Sequence, residues 1–404
     1  MAGERKYAIV GLGLVPGPQP GRSPRAVQSE SCWMAIEDAG LKREDIDGAV
    51  EGRTGGGSGD EATWADPFPR YMGLPINFYY SVGRGGAIAG LGIATALSFL
   101  DRGVANYVLV STVTLGLSRK YARREGMRAG ADRPIGAVQS GGREGYWGQP
   151  YGDVAAAAHH SWIAARHMAV FGTTHEQLGS IAVQTRAWAN KNPEAKMYGR
   201  PMTLDDYLNS PWVARPYHLL DICLVSDVAT SFIVTTAERA HDSKKPPVWI
   251  LGQGFGEAIE DSWWQKENYI RLPVKRAKEQ AFRQAGIDRI HEIDSVQFYD
   301  CFTGEVLFQI EDYGFAPKGE GGAWAAEGHI GPGGDHPINT SGGLLSAYHN
   351  FDNTTLAEAV RQVRGEAGER QIPNCRTALS TGHGGEMLSP ALCSIHTTTI
   401  LGKD

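Results

Sequence analysis

The sequence predicts a duplicated α/β fold, two similar halves that each lay helices against a sheet. Three observations carry this. The pattern Ala-x-x-x-Ala-Gly-[Leu/Ile], followed after four or five residues by Ile-Asp, occurs once in each half: Gly40-Leu41 with Ile46-Asp47, and Ala285-Gly286-Ile287 with Ile293-Asp294. Each copy is preceded by an apolar, strand-like run ending in Gly-x-Gly, at residues 8–13 and 248–254. Further on, Val108-Leu109-Val110-Ser111-Thr112 has an echo in Thr377-Ala378-Leu379-Ser380-Thr381. One such match is a common helix end; three in the same order mark an internal repeat.

Taken in order, residues 7–10 read as a strand, followed by Gly11-Leu12-Gly13 and a proline-rich loop to Pro24. The Gly-x-Gly is no dinucleotide fingerprint. Pro16 stands where the third glycine belongs, and prolines follow instead of a helix. Residues 26–40 have helical apolar spacing and Gly40 as a stop. A strand is expected near Ala49-Val50, then a glycine-rich loop at 52–59. Tyr80-Ser81-Val82-Gly83-Arg84-Gly85-Gly86 leads into residues 87–100, a helix of small residues suited to burial in the middle of the fold. The run Arg119, Lys120, Arg123, Arg124 and Arg128 is either a solvated basic face or a site for phosphates. Residues 141–152 form a glycine and aromatic loop, and 155–170 a helix. His159, His160, His167 and His175 lack an H-E-x-x-H and any carboxylate at helical ligand spacing, so they read as ordinary helix and loop histidines, with no metal.

Residues 295–299 are strand-like and end in Tyr299-Asp300-Cys301-Phe302. The stretch 337–350 passes through Ser341-Gly342-Gly343 and then reads as a helix start. Paired glycines permit close backbone approach, and the first amides of a helix have no internal partner. Tyr348 and His349 follow within two turns. Ser380-Thr381-Gly382-His383-Gly384-Gly385 reads as a strand followed by a tight turn.

Composition excludes several classes. A net charge of −6 over 404 residues argues against a nucleic-acid surface. No run is long and apolar enough for a membrane span. Residues 1–7 lead directly into a strand without a signal-peptide pattern, and the five scattered cysteines contain no Cys-x-x-Cys. The expectation is a cytoplasmic protein with reduced thiols.

The motifs resemble those of thiolases, above all the sterol-carrier-protein type. Residues 337–350 are similar to the family's Asn-Pro-Ser-Gly-Gly-x-x-x-x-Gly-His-Pro, with His349 on the catalytic histidine, Tyr348 replacing the preceding glycine and Asn350 the following proline. Arg166-His167-Met168, Asn192-Pro193, Tyr207-Leu208-Asn209-Ser210-Pro211, Leu219-Leu220-Asp221 and Ser226-Asp227 match the sterol-carrier pattern in order. Where that pattern has His-Asp-Cys-Phe, this chain has Tyr299 in the histidine's place. The nucleophile turn, Cys-x-Ser-Gly, falls on Gly83-Arg84-Gly85-Gly86. The resemblance implies a thiolase-like fold: an N-terminal half at 1–245 with a loop domain at about 115–215 inserted, and a C-terminal half at 246–404. It also implies a homodimer.

Gly83 has no side chain to acylate, so covalent thiolase chemistry should be absent. Aldol cleavage of a β-hydroxyacyl-CoA passes through the same enolate without a covalent intermediate. It needs a base, an oxyanion site and an acid, and phenols suit proton transfer to and from an alcohol. The pattern is similar to that of the steroid side-chain-cleaving aldolases of actinobacteria. That implies a 17-hydroxy steroid CoA ester cleaved to a 17-ketosteroid and propionyl-CoA. It further implies an OB-fold partner, often with a zinc ribbon, and a homodimer within a heterotetramer. Tyr299, Tyr348 and His349 are the expected catalytic residues; Gly83, His383 and Gly384 the expected substrate-binding ones. No cofactor is expected beyond the coenzyme A of the substrate. The competing readings are a non-catalytic lipid or acyl-CoA carrier or scaffold, and a cysteine-independent acyltransferase.

Overall fold

The computed structural model describes residues 5–52, 67–118, 156–257, 273–384 and 395–404. The basic run at 119–128, the loop at 141–152, most of the loop at 52–59 and Gly385 lie outside these residues, as does part of the expected loop domain.

Eleven strands are described: β1 Tyr7–Pro16, β2 Gly48–Gly52, β3 Phe78–Val82, β4 Tyr107–Leu115, β5 Trp212–Ala214, β6 Tyr217–His218, β7 Asp227–Thr236, β8 Val248–Glu257, β9 Ser295–Gln297, β10 Thr377–Gly384 and β11 Ile395–Gly402. Nine of them form one sheet in the order β3-β2-β4-β7-β1-β8-β11-β10-β9, and β5 and β6 form a separate hairpin. The repeat is visible in the ladders. In the first half β1 pairs β7 and β7 pairs β4 antiparallel, while β4 pairs β2 in parallel. In the second half β8 pairs β11 and β11 pairs β10 antiparallel, while β10 pairs β9 in parallel. The halves meet where Ala8 faces Trp249 and Ile9 faces Val248. The sequence echo between residues 108–112 and 377–381 therefore marks topologically equivalent strands, β4 and β10.

The repeated Gly-x-Gly has a packing cause. Helix α1, Pro24–Ala39, is capped by the Ser23 hydroxyl and closed by Gly40 at φ 73°. It lies directly over β1. A Cβ on Gly11 or Gly13 would overlap the carbonyl of Ala35 or Ser31 in that helix. β1 thus continues through both glycines to Pro16, where the sequence suggested a loop from Gly11 onward. In the second half, Gly252 and Gly254 of β8 face the carbonyls of Ala281 and Ala277 in α5, Val274–Ala285, in the same way. The helix alanines and strand glycines are two sides of one close contact, so they recur together.

Between β3 and β4 runs α2, Ile88–Asp101; α3, Ala156–Phe171, and α4, His175–Ala189, lie between β4 and β5. After β9 come α6, Thr303–Tyr313, and α7, Asp352–Arg364. One buried cluster joins Ala89, Ile93, Ala96 and Leu100 of α2 to Leu356, Ala359 and Val360 of α7 and to strand residues of both halves. A second sets α1 against the first half, and a third sets α5 and α6 against the second. The pair α2 and α7 is therefore the shared interior layer. Two glycines inside α2 cost about 1 kcal/mol each against alanine. Burial of Ile88 and Ile93, each fully enclosed and worth about 1.5–3 kcal/mol, offsets that. The small residues earn their place sterically: a Cβ on Gly92 would lie 2.8 Å from a methyl of Val110.

Candidate active site

The site forms where the starts of α2 and α7 meet the end of β10 and the segment after β9. Tyr299 follows β9 and is held by its backbone. Its amide donates to Thr381 Oγ1 at 2.8 Å, its carbonyl accepts from Gln309 Nε2 at 2.8 Å, and Thr381 donates to Gln309 Oε1 at 2.6 Å. The phenol lies over Gly86, so closely that any Cβ there would overlap the ring, its hydroxyl and the carbonyl of His383. Gly86 and His383 form an antiparallel bridge, with the His383 amide donating to the Gly86 carbonyl at 3.1 Å. Gly384 packs on the backbone of Arg84 and Gly86. The structure thus gathers Tyr299, His383, Gly384 and the turn that Gly83 opens.

Sequence reasoning missed Asp352. It begins α7, is 2% exposed, and accepts from the amides of Ala89 at 2.7 Å and Gly90 at 2.8 Å. The first free amides of α2 therefore belong to an internal carboxylate. Burial pushes this carboxyl up to about 7, against the pull of those amides. The folded chain then binds more protons than the unfolded chain between the ordinary carboxylate range and pH 7. Stability attributable to Asp352 falls as pH rises through that window. The thermal midpoint of Asp352→Asn is expected to depend less on pH between 5 and 8 than that of the wild-type chain. A slope identical to wild type would show that Asp352 is ionised throughout.

The Ser341-Gly342-Gly343 stretch departs from expectation. It starts no long helix: Gly343–Ala347 is a single π-helical turn, and Tyr348 at φ −160° ends it. Nor do its amides await a ligand. Asp300, fully buried, accepts from Leu344 at 2.8 Å and Leu345 at 3.3 Å. Burial raises this carboxyl to about 8. The paired glycines exist because Gly342, at φ 92°, abuts Ala189, and Gly343, at φ 56°, abuts the Asp300 carboxylate.

Tyr348 is buried, with its ring in a cluster with Leu14, Ala189, Ala195 and Val228, apart from the cluster that holds Tyr299. Burial raises its pKa and outweighs the opposing Arg361 charge, so the phenol stays protonated. His349 is half-buried; its amide donates to Ser226 Oγ at 3.0 Å and its ring lies 4.8 Å from that of Phe351. Loss of solvent lowers its pKa to about 4, so the imidazole is neutral at pH 7. Asn350, in the proline's place, ties β4 to β7 through Thr114 Oγ1 at 3.1 Å and Thr230 Oγ1 at 2.9 Å. Phe351 adopts φ 54°, ψ −150°, a strained backbone for a side-chain-bearing residue.

Three of the four described cysteines are held as thiols. Burial raises Cys32 to about 11, and Cys223 and Cys375 to about 12, the reverse of what a thiolate nucleophile needs. His160 and His167, two of the histidines set aside above, instead meet carboxylates of α6: His160 Nδ1 lies 2.5 Å from Glu305 Oε1, and His167 Nε2 3.0 Å from Glu311 Oε2.

Residues 257–403 match the family model described as thiolase C-terminal domain-like. A steroid side-chain-cleaving aldolase of Thermomonospora curvata is 32% identical over 385 residues, covering 93% of this chain and 95% of that one. A 17-hydroxy-3-oxo-4-pregnene-20-carboxyl-CoA lyase of Mycobacterium tuberculosis is 32% identical over 368 residues, covering 89% and 91%. The solved Ltp2-ChsH2(DUF35) aldolase superimposes with a TM-score of 0.83 at 30% identity, over 99% of this chain and 98% of that one. The chain belongs to the thiolase superfamily, in the group that includes the steroid side-chain-cleaving aldolases.

Proposed function

We propose that this chain is a retro-aldolase, a carbon–carbon lyase that cleaves the CoA ester of a 17-hydroxy steroid side chain to a 17-ketosteroid and propionyl-CoA. The observation that carries the reading is the exchange at the nucleophile turn. Gly83 stands where the cysteine belongs, and the Tyr299 phenol lies over Gly86 of that same turn. The similarity to an aldolase and a CoA lyase over most of the chain supports it. A base takes the β-hydroxyl proton, the carbon–carbon bond breaks as the ketone forms, and its electron pair passes to the thioester as an enolate. The enolate carbon then takes a proton. Tyr299 and Tyr348 share the base and acid roles, with His349 orienting Tyr348 or the thioester. Gly83, His383 and Gly384 line the place of the substrate. No cofactor enters beyond the coenzyme A of the substrate.

The two phenols lie in separate buried clusters.

The reading includes partners. β3 is an outer strand of the sheet, and Tyr80 on it is 52% exposed, an edge on which a second copy of the chain can pair. The similar solved aldolase carries a second component, ChsH2(DUF35), in its name. An OB-fold partner, with a zinc ribbon, and a homodimer within a heterotetramer complete the proposal. Among the described residues no helix is long and apolar enough to cross a membrane, which accords with a cytoplasmic enzyme.

The test is the chain co-expressed with its OB-fold partner and given the 17-hydroxy steroid CoA ester. The expected result is 17-ketosteroid with propionyl-CoA, and no cleavage of acetoacetyl-CoA by free coenzyme A. Robust thiolysis abolished by thiol alkylation, without ketone release, would overturn the reading.

A further inference from the structure

The reaction as proposed leaves one buried carboxylate without a task. On α6, Glu305, Gln309 and Tyr313 are spaced four residues apart and so share one face. Gln309 serves Tyr299 and Thr381, as above. The Tyr313 hydroxyl meets His396 Nε2 at 3.0 Å and Thr398 Oγ1. Glu305, fully buried, sits at the end of this polar row nearest the site. Its Oε1 is 2.5 Å from His160 Nδ1, and the His160 ring is stacked on Phe302 at 4.5 Å. Its Oε2 is buried without a hydrogen-bond partner and lies 3.9 Å from His383 Nε2. That gap exceeds a hydrogen bond by about 1 Å. An orphaned acceptor at this depth costs about 1–3 kcal/mol or more if charged. The arrangement is therefore expensive as pure architecture, and it points at a histidine whose backbone is bridged to the nucleophile turn.

We propose that Glu305 is a positioning residue which, with His160, orients His383 as the proton source behind the phenol that quenches the enolate carbon. The inference rests on the retro-aldol reading of this site. In the step, the phenol acting as acid passes its proton to the carbon that received the electron pair of the broken bond, and a ring N–H of His383 restores the phenol. A C–H bond forms and the thioester carbonyl is restored. His383 regains a proton through the Glu305–His160 pair, which is replenished through solvent by the proton taken earlier from the β-hydroxyl. One proton leaves oxygen and one arrives at carbon; nothing is oxidised or reduced.

Two rates test it, both on the chain with its partner protein. One is ketone release from the steroid CoA ester. The other is deuterium uptake at the α-carbon of propionyl-CoA in D2O without a ketone, which isolates the carbon-protonation step. Glu305→Gln is nearly isosteric and is expected to lower α-carbon exchange by about 10²-fold with little change in thermal midpoint. His160→Gln should act in the same direction, and Glu305→Asp should recover part of the loss by restoring the charge. A Glu305→Gln chain that exchanges at the wild-type rate per folded molecule would overturn the inference, whatever its stability. If the wild-type chain releases ketone while Glu305→Gln exchanges normally, the retro-aldol reading stands and the role of Glu305 falls. If the wild-type chain exchanges but releases no ketone, the retro-aldol reading falls, and the exchange rate of Glu305→Gln still decides between support and rejection. A wild-type chain that does neither overturns both.

Discussion

Tyr299→Phe is expected to lower ketone release by about 10²–10⁴-fold, the usual cost of losing a general acid or base. Stability should fall by no more than about 0.5–1.5 kcal/mol, the worth of one buried hydrogen bond. The contrast is interpretable because the residue is fixed by its backbone. The bonds to Thr381 and Gln309 survive the substitution, so the ring stays over Gly86 and only the hydroxyl is lost. Turnover and thermal midpoint are measured on the same preparation. Near-normal turnover with a lowered midpoint would make Tyr299 a core residue and remove the central group of the mechanism.

Tyr348→Phe is expected to lower ketone release by about 10²-fold. The ring is buried beside Leu14 and Val228, near the ion pair of Arg361 with Glu194. A large loss with an unchanged thermal midpoint assigns the hydroxyl to the chemistry. Normal turnover with reduced stability would assign Tyr348 to the core. His349→Ala belongs beside it with a smaller effect expected, since the imidazole is neutral and no cysteine thiol is there for it to activate.

Much of the fold was legible because its signals are local. The recurrent Gly-x-Gly and Ala-x-x-x-Ala patterns are steric partners, and a steric requirement on one residue type survives in sequence. Helix α1 begins and ends within two residues of its predicted span, since helical apolar spacing and the Gly40 stop are local signals. The site was only half legible. The α6 row of Glu305, Gln309 and Tyr313 did carry a signal, polar residues at helical spacing among Val306, Leu307, Phe308 and Ile310. Its meaning depended on what lay opposite. His160, 145 residues earlier in the chain, read as an ordinary helix histidine.

The sequence by itself determined the duplication, the thiolase-like class and the loss of the nucleophile. The duplication follows from residue identity and spacing, the other two from the resemblance of the motifs to thiolases, and a glycine at position 83 lacks a nucleophile in any fold. Only the tertiary structure decided who receives the orphan amides and where each phenol points. Asp300 takes the turn at Gly343 from 44 residues away, and Asp352 takes the start of α2 from 263 away. Tyr348 is packed with Leu14, Ala189 and Val228, in a different buried cluster from Tyr299. The reason is physical. A helix end will accept any buried carboxylate that packing brings to it, and sequence spacing carries no record of which one arrives.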